Sequence, residues 1–192
     1  MTPSIEVVLL STLFCFGSAL ASVDPEYEVE SRMGRYEIRR YESTWVAETK
    51  IDSNFEDTSN EGVRVLTNYI FGNNKAKGQD ASVKIQMTAP ASQTMTSDGF
   101  FILFTLPRKY TIETIPEPLD SRIVLKRIPA RNVAVFEYTG SWSDVSYQEK
   151  LKEFLSLLKK DGIKTIGEPE FARFNSPLQL WFLRRNEILI NL

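Results

Sequence analysis

The sequence predicts an α+β domain in which a strand-helix-strand-strand unit is used twice. Its largely antiparallel, eight-stranded sheet curls into a distorted barrel that carries two helices. Three observations predict this. The chain repeats itself, Arg40 matching Arg127 at an offset of 87 (127 − 40). Two apolar stripes recur at helical spacing, and runs of β-branched and aromatic residues flank each stripe.

The first strand region, Tyr36–Thr49, faces Ile123–Tyr138 without a gap: Arg39 meets Lys126, Val46 meets Val133, and Ala47 meets Ala134. Pro90 and Pro177 share the same offset. Between them the register slips by one, so that Thr58 and Glu61 meet Ser146 and Glu149, two copies of the Ser/Thr-x-x-Glu box that opens a helix. Val63, Leu66 and Ile70 then meet Leu151, Phe154 and Leu158, the i, i+3, i+7 spacing of a buried face. Helices are therefore expected over about Ser59–Phe71 and Tyr147–Lys160, closed by Gly72-Asn73-Asn74 and Asp161-Gly162. Two strands follow in each half, Ser82–Thr88 with Phe100–Thr105, and Glu170–Asn175 with Leu180–Arg184. The halves span about 27–106 and 121–191, joined by the proline-bearing connection Pro107–Asp120, within a single domain over 22–192.

Composition narrows the chemistry. The chain of 192 residues has 23 basic and 25 acidic side chains, a balance that argues against a nucleic-acid binder, whose affinity rests on cationic neutralisation of phosphates. It has no His and one Cys, which excludes Ser-His-Asp and Cys-His nucleophiles, His-liganded zinc and His-ligated haem. Carboxylates alone support acid–base catalysis when their environments separate their pKa values. Here Glu113, Glu117, Asp120, Glu168 and Glu170 mostly border Pro or Gly in apparent loops, with nothing to pair them. A binding module rather than an enzyme is expected.

Residues 1–21 read as a signal peptide. Val7–Val23 carries no charge, and Ala19 and Ala21 form an A-x-A cleavage site, although Glu6 stands where a basic residue is usual. A retained membrane anchor is the alternative, but this stretch is short for a span and diluted by Ser, Gly and Ala. Cleavage removes Cys15 and leaves 171 residues (192 − 21) in an extracytosolic, secreted or periplasmic, domain without a thiol.

Five segments, Arg35–Glu42 (RYEIRRYE), Lys84–Ala91 (KIQMTAPA), Phe104–Asp120, Gly167–Pro177 (GEPEFARFNSP) and Trp181–Ile188 (WFLRRNEI), resemble the SOUL family of haem-binding proteins, in the same order and over about Tyr27–Asn191. The resemblance implies a duplicated fold similar to bacterial effector-binding domains. It also implies an affinity for haem or other tetrapyrroles that varies among members. An iron-ligating His, proposed for some members, has no occupant here. Other members are thought to hold the ring in an apolar cleft beside the first helix, with basic side chains on its propionates. That reading places Val65 and Tyr69 as an apolar shelf beside Asn68, with Arg64 pairing a carboxylate. In the plainer reading, Val65 and Tyr69 widen the core stripe and Arg64 is solvated.

Met87, Met33 and Met95 are thioether candidates for iron, and seven Tyr residues offer phenolates without singling one out. Lys75 and Lys77 either bind an anion or complement the end of the first helix. Arg184, Arg185 and Glu187 are expected to form an ion-pair cluster. The expected function is non-catalytic binding of a tetrapyrrole or another flat apolar ligand by a monomer; the alternative is an interaction module of the same fold without haem. Contact with a membrane is expected only if the N-terminal segment is retained. Mass determination of the exported protein should find a chain beginning at Ser22; a chain beginning at Met1 would revive the anchor.

Overall fold

The computed structural model describes residues 25–192, so the proposed signal peptide lies outside the described residues. The strands are β1 (Tyr27–Arg32), β2 (Glu37–Tyr41), β3 (Thr44–Ile51), β4 (Asn74–Lys75), β5 (Ala91–Thr96), β6 (Gly99–Thr105), β7 (Glu117–Pro118), β8 (Ile123–Ile128), β9 (Arg131–Thr139), β10 (Ile166–Arg173) and β11 (Arg185–Asn191). Helix α1 (Phe55–Ile70) follows β3, and α2 (Asp144–Lys160) follows β9. Nine strands form one curled antiparallel sheet in the order β1-β2-β9-β11-β10-β5-β6-β3-β8, while β4 and β7 pair separately. The sheet thus has one strand more than expected, because β1 extends the edge beyond β2.

The order is symmetric about the β10–β5 seam. Each half exchanges its first strand: β2 pairs with β9 of the second half, and β8 pairs with β3 of the first. The registers match as well as the order. Arg39 stands opposite Val133, and Lys126, its partner in the repeat, stands opposite Val46. Val46 and Val133 are both fully buried, as are Ala47 and Ala134 on the other face of the sheet. Leu66 and Phe154 occupy the same place on their helices, each 0% exposed, with Ile70 and Leu158 one turn on and also buried.

Two cores lie between the sheet and its helices. Under α2, Phe154 packs with Phe136, Phe171 and Ile188, and Phe55 stacks on Tyr147 and Phe171. Under α1, Leu66, Tyr69 and Ile70 pack with Ile85, Ile102 and Phe104. Helix α1 lies close on β6: a Cβ added at Gly62 would come within 2.7 Å of the Ile102 Cβ, so glycine sets this spacing. A third, smaller cluster of Val133, Val135, Ala172 and Leu189 lies on the opposite face, which the helices leave open.

The structure corrects several expected boundaries. Both helices begin about a turn earlier than the Ser/Thr-x-x-Glu boxes suggest. The Asp57 N–H donates to Asn54 Oδ1 at 2.9 Å, and Ser143 Oγ accepts from the Ser146 N–H at 3.3 Å. Thr58 is consequently buried inside α1 rather than capping it. Ser82–Thr88 forms no strand beyond a single bridge at Thr88: Asn74 takes up both the N–H and the carbonyl of Val83, and the Ile85 N–H donates to the Ile70 carbonyl. The strand of that region is β5. Residues Trp181–Leu183 form a 3-10 turn, and the last strand starts only at Arg185. Pro90 precedes β5, whereas Pro177 follows β10, the counterpart of β5, so their shared offset is coincidental.

Leu66→Ala and Phe154→Ala should each destabilise the domain by about 2–5 kcal/mol, through lost transfer energy and the cavity left behind. Urea denaturation should show this as a lower midpoint at unchanged m.

Candidate functional site

The open face of the sheet is polar at its centre. Alternation along β11 sends Glu187 and Leu189 to this face while Ile188 and Ile190 enter the α2 core. Glu187 is 0% exposed. Its Oε1 accepts from Arg39 Nη1 at 3.0 Å and from Arg185 Nη2 at 2.7 Å, while Oε2 is buried without a hydrogen-bond partner. Arg39 also donates to Glu37 Oε2 at 2.8 Å and lies 4.1 Å from the Tyr27 ring centroid. Burial opposes its charge, but Glu187 and the hydrogen bonds around it hold the guanidinium above its ordinary pKa. Of the expected cluster, Arg185 and Glu187 do pair, but the third member is Arg39 from β2 rather than Arg184, and Arg185 also reaches Glu137. Arg184 stands apart, donating to the Gln179 and Pro177 carbonyls.

Above this cluster is a cavity of about 110 Å³, lined by Tyr41, Leu103, Phe174, Leu189, Glu170 and Glu187 among others. Arg131 closes one side by donating to Glu170 at 2.9 Å. Pockets for drug-sized ligands run to about 300–1,000 Å³, so this cavity suits a few waters rather than a macrocycle.

Glu42, Thr44 and Arg108 form a shared wall, beyond which lies a groove of about 480 Å³. The turn between β2 and β3 supplies Ser43, the start of β3 supplies Trp45, the loop after β6 supplies Tyr110, Ile112 and Glu113, and β8 supplies Arg127. Trp45 and Tyr110 are half-buried, each with one side against the α1 core. Lys77 donates to the Ile112 carbonyl at 2.5 Å and fixes that loop from below, rather than binding an anion. Arg127 donates to Ser43 Oγ at 3.0 Å, and Arg108 pairs with Glu26 across the surface. The groove therefore combines two aromatic walls with two exposed guanidinium groups and two exposed carboxylates, Glu42 and Glu113.

The four residues expected beside the first helix do not form a cleft. Val65 is 3% exposed and Tyr69 0%, and the Tyr69 hydroxyl donates to the Pro116 carbonyl at 2.8 Å. Both are core residues, because the loop before β7 lies over that face of α1; Arg64 and Asn68 point outward into solvent. Met33, Met87 and Met95 are exposed and line neither hollow, and Lys75 pairs with Asp80. The groove residues Trp45, Arg108, Tyr110 and Arg127 were not singled out in the sequence. Their signals there were indirect: Arg127 was matched to Arg40 by the repeat, and Arg108 and Tyr110 fall in the family segment Phe104–Asp120.

The SOUL heme-binding protein profile matches residues 23–191. The chain belongs to this family. No curated protein matches it. Among solved structures, the EcmrR C-terminal domain is similar at a TM-score of 0.61 and 10% identity, covering 86% of this chain and 96% of that one. An uncharacterized conserved protein from Listeria innocua gives 0.58 and 8%, covering 81% and 91%. A hydrolase from the same organism gives 0.54 and 9%, covering 84% and 93%. At these identities the likeness is one of fold.

The ionisable groups give the domain a characteristic pH profile. Burial and the bond to Asp161 push the Tyr36 phenol up to about 12, and burial with nearby Glu187 does the same for Tyr41. A tyrosine in the unfolded chain titrates near 10. As pH rises between these values, the unfolded state has lost protons that the native state keeps, so stability falls with pH. Below about pH 10 both states are protonated and the stabilisation is complete. With no His, stability should be nearly flat from about pH 6 to 9 and drop steeply above 10. Chemical denaturation across that range checks both limbs, and a step near pH 6.5 would contradict them.

Proposed function

We propose that the chain is a non-catalytic tetrapyrrole-binding protein whose ring site is the groove between the β2–β3 turn and the loop after β6. The observation that carries the reading is the pairing of Trp45 and Tyr110 with the guanidinium groups of Arg108 and Arg127 around about 480 Å³ of open space. Aromatic walls suit a flat apolar ring, and the arginines suit its propionates. Family membership supports the ligand class. Among the described residues no group of His, Cys, Asp or Glu is arranged to hold a metal ion, and the chain has no His.

Enclosure of the ring is therefore the main source of affinity, and iron contributes little. Tyr110 is the phenol nearest such a ring; five of the other six tyrosines, at 36, 41, 69, 138 and 147, are held protonated chiefly by burial. The aromatic groove supports this reading, while the filled face of α1 and the exposed apolar side chains at 178–183 are what an interaction module of the same fold would show. The N-terminal segment is in keeping with a carrier exported from the cytosol after cleavage at Ala21.

Absorbance titration of the untagged protein in imidazole-free buffer should find ferric haem and metal-free protoporphyrin binding within about tenfold of each other, or 1.4 kcal/mol. Trp45→Ala and Arg127→Ala should weaken both, the latter by up to about 1 kcal/mol, while Arg64→Ala leaves both unchanged. A thousandfold preference for haem that Tyr110→Phe abolishes would replace enclosure by phenolate ligation. Unchanged binding in both groove variants would move the site elsewhere.

A further inference from the structure

Phe174–Leu183 is a run of ten residues without a charge, joining β10 to β11. It holds an unusual density of exposed apolar side chains. Leu178 is 93% exposed and Trp181 61%, and Leu180, Phe182 and Leu183 are each more than half exposed. Single exposed apolar residues are ordinary on protein surfaces, but five within six positions form a patch that calls for a partner.

The loop is not loose chain. Arg184 donates to the Gln179 and Pro177 carbonyls, each at 2.9 Å, and its guanidinium lies 4.1 Å from the Trp142 ring centroid. Asn175 Oδ1 accepts the Arg185 N–H at 2.6 Å, Ser176 Oγ the Leu178 N–H at 3.3 Å, and the Leu180 carbonyl the Leu183 N–H at 2.9 Å. A fixed backbone thus holds the apolar side chains outward, which lowers the ordering cost of inserting them into a partner.

The charge at the base of the loop selects the partner. Arg173 lies 5.3 Å from the same Trp142 ring and donates to Gln93 Oε1 at 2.8 Å. Burial, with a further push from Arg184, lowers its pKa to about 10. Neither Arg173 nor Arg184 forms an ion pair with a carboxylate among the described residues. An apolar tip beside the part-exposed Arg184 guanidinium, with the buried charge of Arg173 behind it, matches the boundary between anionic headgroups and acyl chains. Trp suits that boundary as well, having an apolar body and one N–H. A second copy docked two-fold on the same patch would bring two Arg184 side chains together, which like-charge repulsion opposes.

We propose that the 178–183 loop docks this protein onto anionic phospholipid surfaces, seating Leu178, Trp181 and Phe182 at the headgroup–acyl boundary. The contact is peripheral: among the described residues no helix is long and apolar enough to cross a membrane. It is also separate from the tetrapyrrole groove, with which it shares no residue.

The test uses the full chain carrying Cys15→Ser, with an environment-sensitive fluorophore on Leu178→Cys or, as a control, on Asp98→Cys in the exposed β5–β6 turn. Vesicles of phosphatidylcholine with phosphatidylserine should raise and blue-shift emission severalfold at 178 but not at 98. Phosphatidylcholine alone or high salt should weaken the response. Adding Trp181→Ser and Phe182→Ser should reduce partitioning at least about tenfold. Equal responses at 178 and 98 would assign attachment to the N-terminal segment and overturn the proposal, as would silence at 178. A signal at 178 that grows with protein concentration in the absence of lipid would make the occupant another protein copy, and would overturn it too.

Discussion

Neither half of this domain owns a complete sheet. The strand that precedes β3 in the chain lies beside β9, and the strand that precedes β9 lies beside β3. Each half therefore finishes the hydrogen bonding of the other, and the β10–β5 seam joins them at the centre. Unpaired backbone groups on an open strand are costly when buried and prone to stray pairing when exposed, so the exchange fixes the relative placement of the halves. The curl, the two helix-covered cores and the open face all follow from it. So does the groove, since Arg127 on β8 meets Trp45 only because β8 crosses to the first half.

The ion cluster on the open face is the second organising element. Residues from β2 and β11 meet there through β9, and the buried carboxylate of Glu187 is matched by two guanidinium groups rather than left for a ligand. Removing one member of such a set leaves a buried charge uncompensated, a loss of about 3–5 kcal/mol. The cavity above the cluster admits only a few waters, whereas the groove at the rim is roomier and reaches solvent.

Much of the fold was legible because its signals are periodic. Leu66 and Phe154, at equivalent turns of their helices, stood out from apolar spacing alone, and the offset between Arg40 and Arg127 located the exchanged strands β2 and β8. Local chemistry misled where it had two uses. Thr58 has the pattern of a cap yet lies inside α1, and Asn54, with Asp57 three residues on, is the real start. Ser82–Thr88 has strand composition, but the side chain of Asn74 claims its backbone. The site was less legible still. Val65 and Tyr69 look free on a helical wheel, and only the path of the chain over α1 covers them. Trp45, Tyr110 and Arg127 are far apart in sequence and were joined by tertiary structure that no spacing encodes.

Strand exchange also dictates an order of events in folding. Glu37 pairs with Val135, and Arg39 reaches Glu187 across a separation of 148 residues. Contacts of such range raise the entropic cost of the folding barrier and slow its crossing. A nascent chain holding only the first half would have β3, β5 and β6 but no β8 for one edge and no β10 for the other. The first half is thus an unfinished sheet until the second emerges, and the last strand, β11, must leave the ribosome before the Arg39–Glu187 contact exists. Both edges of the first half's sheet therefore stay unpaired until strands of the second half are present.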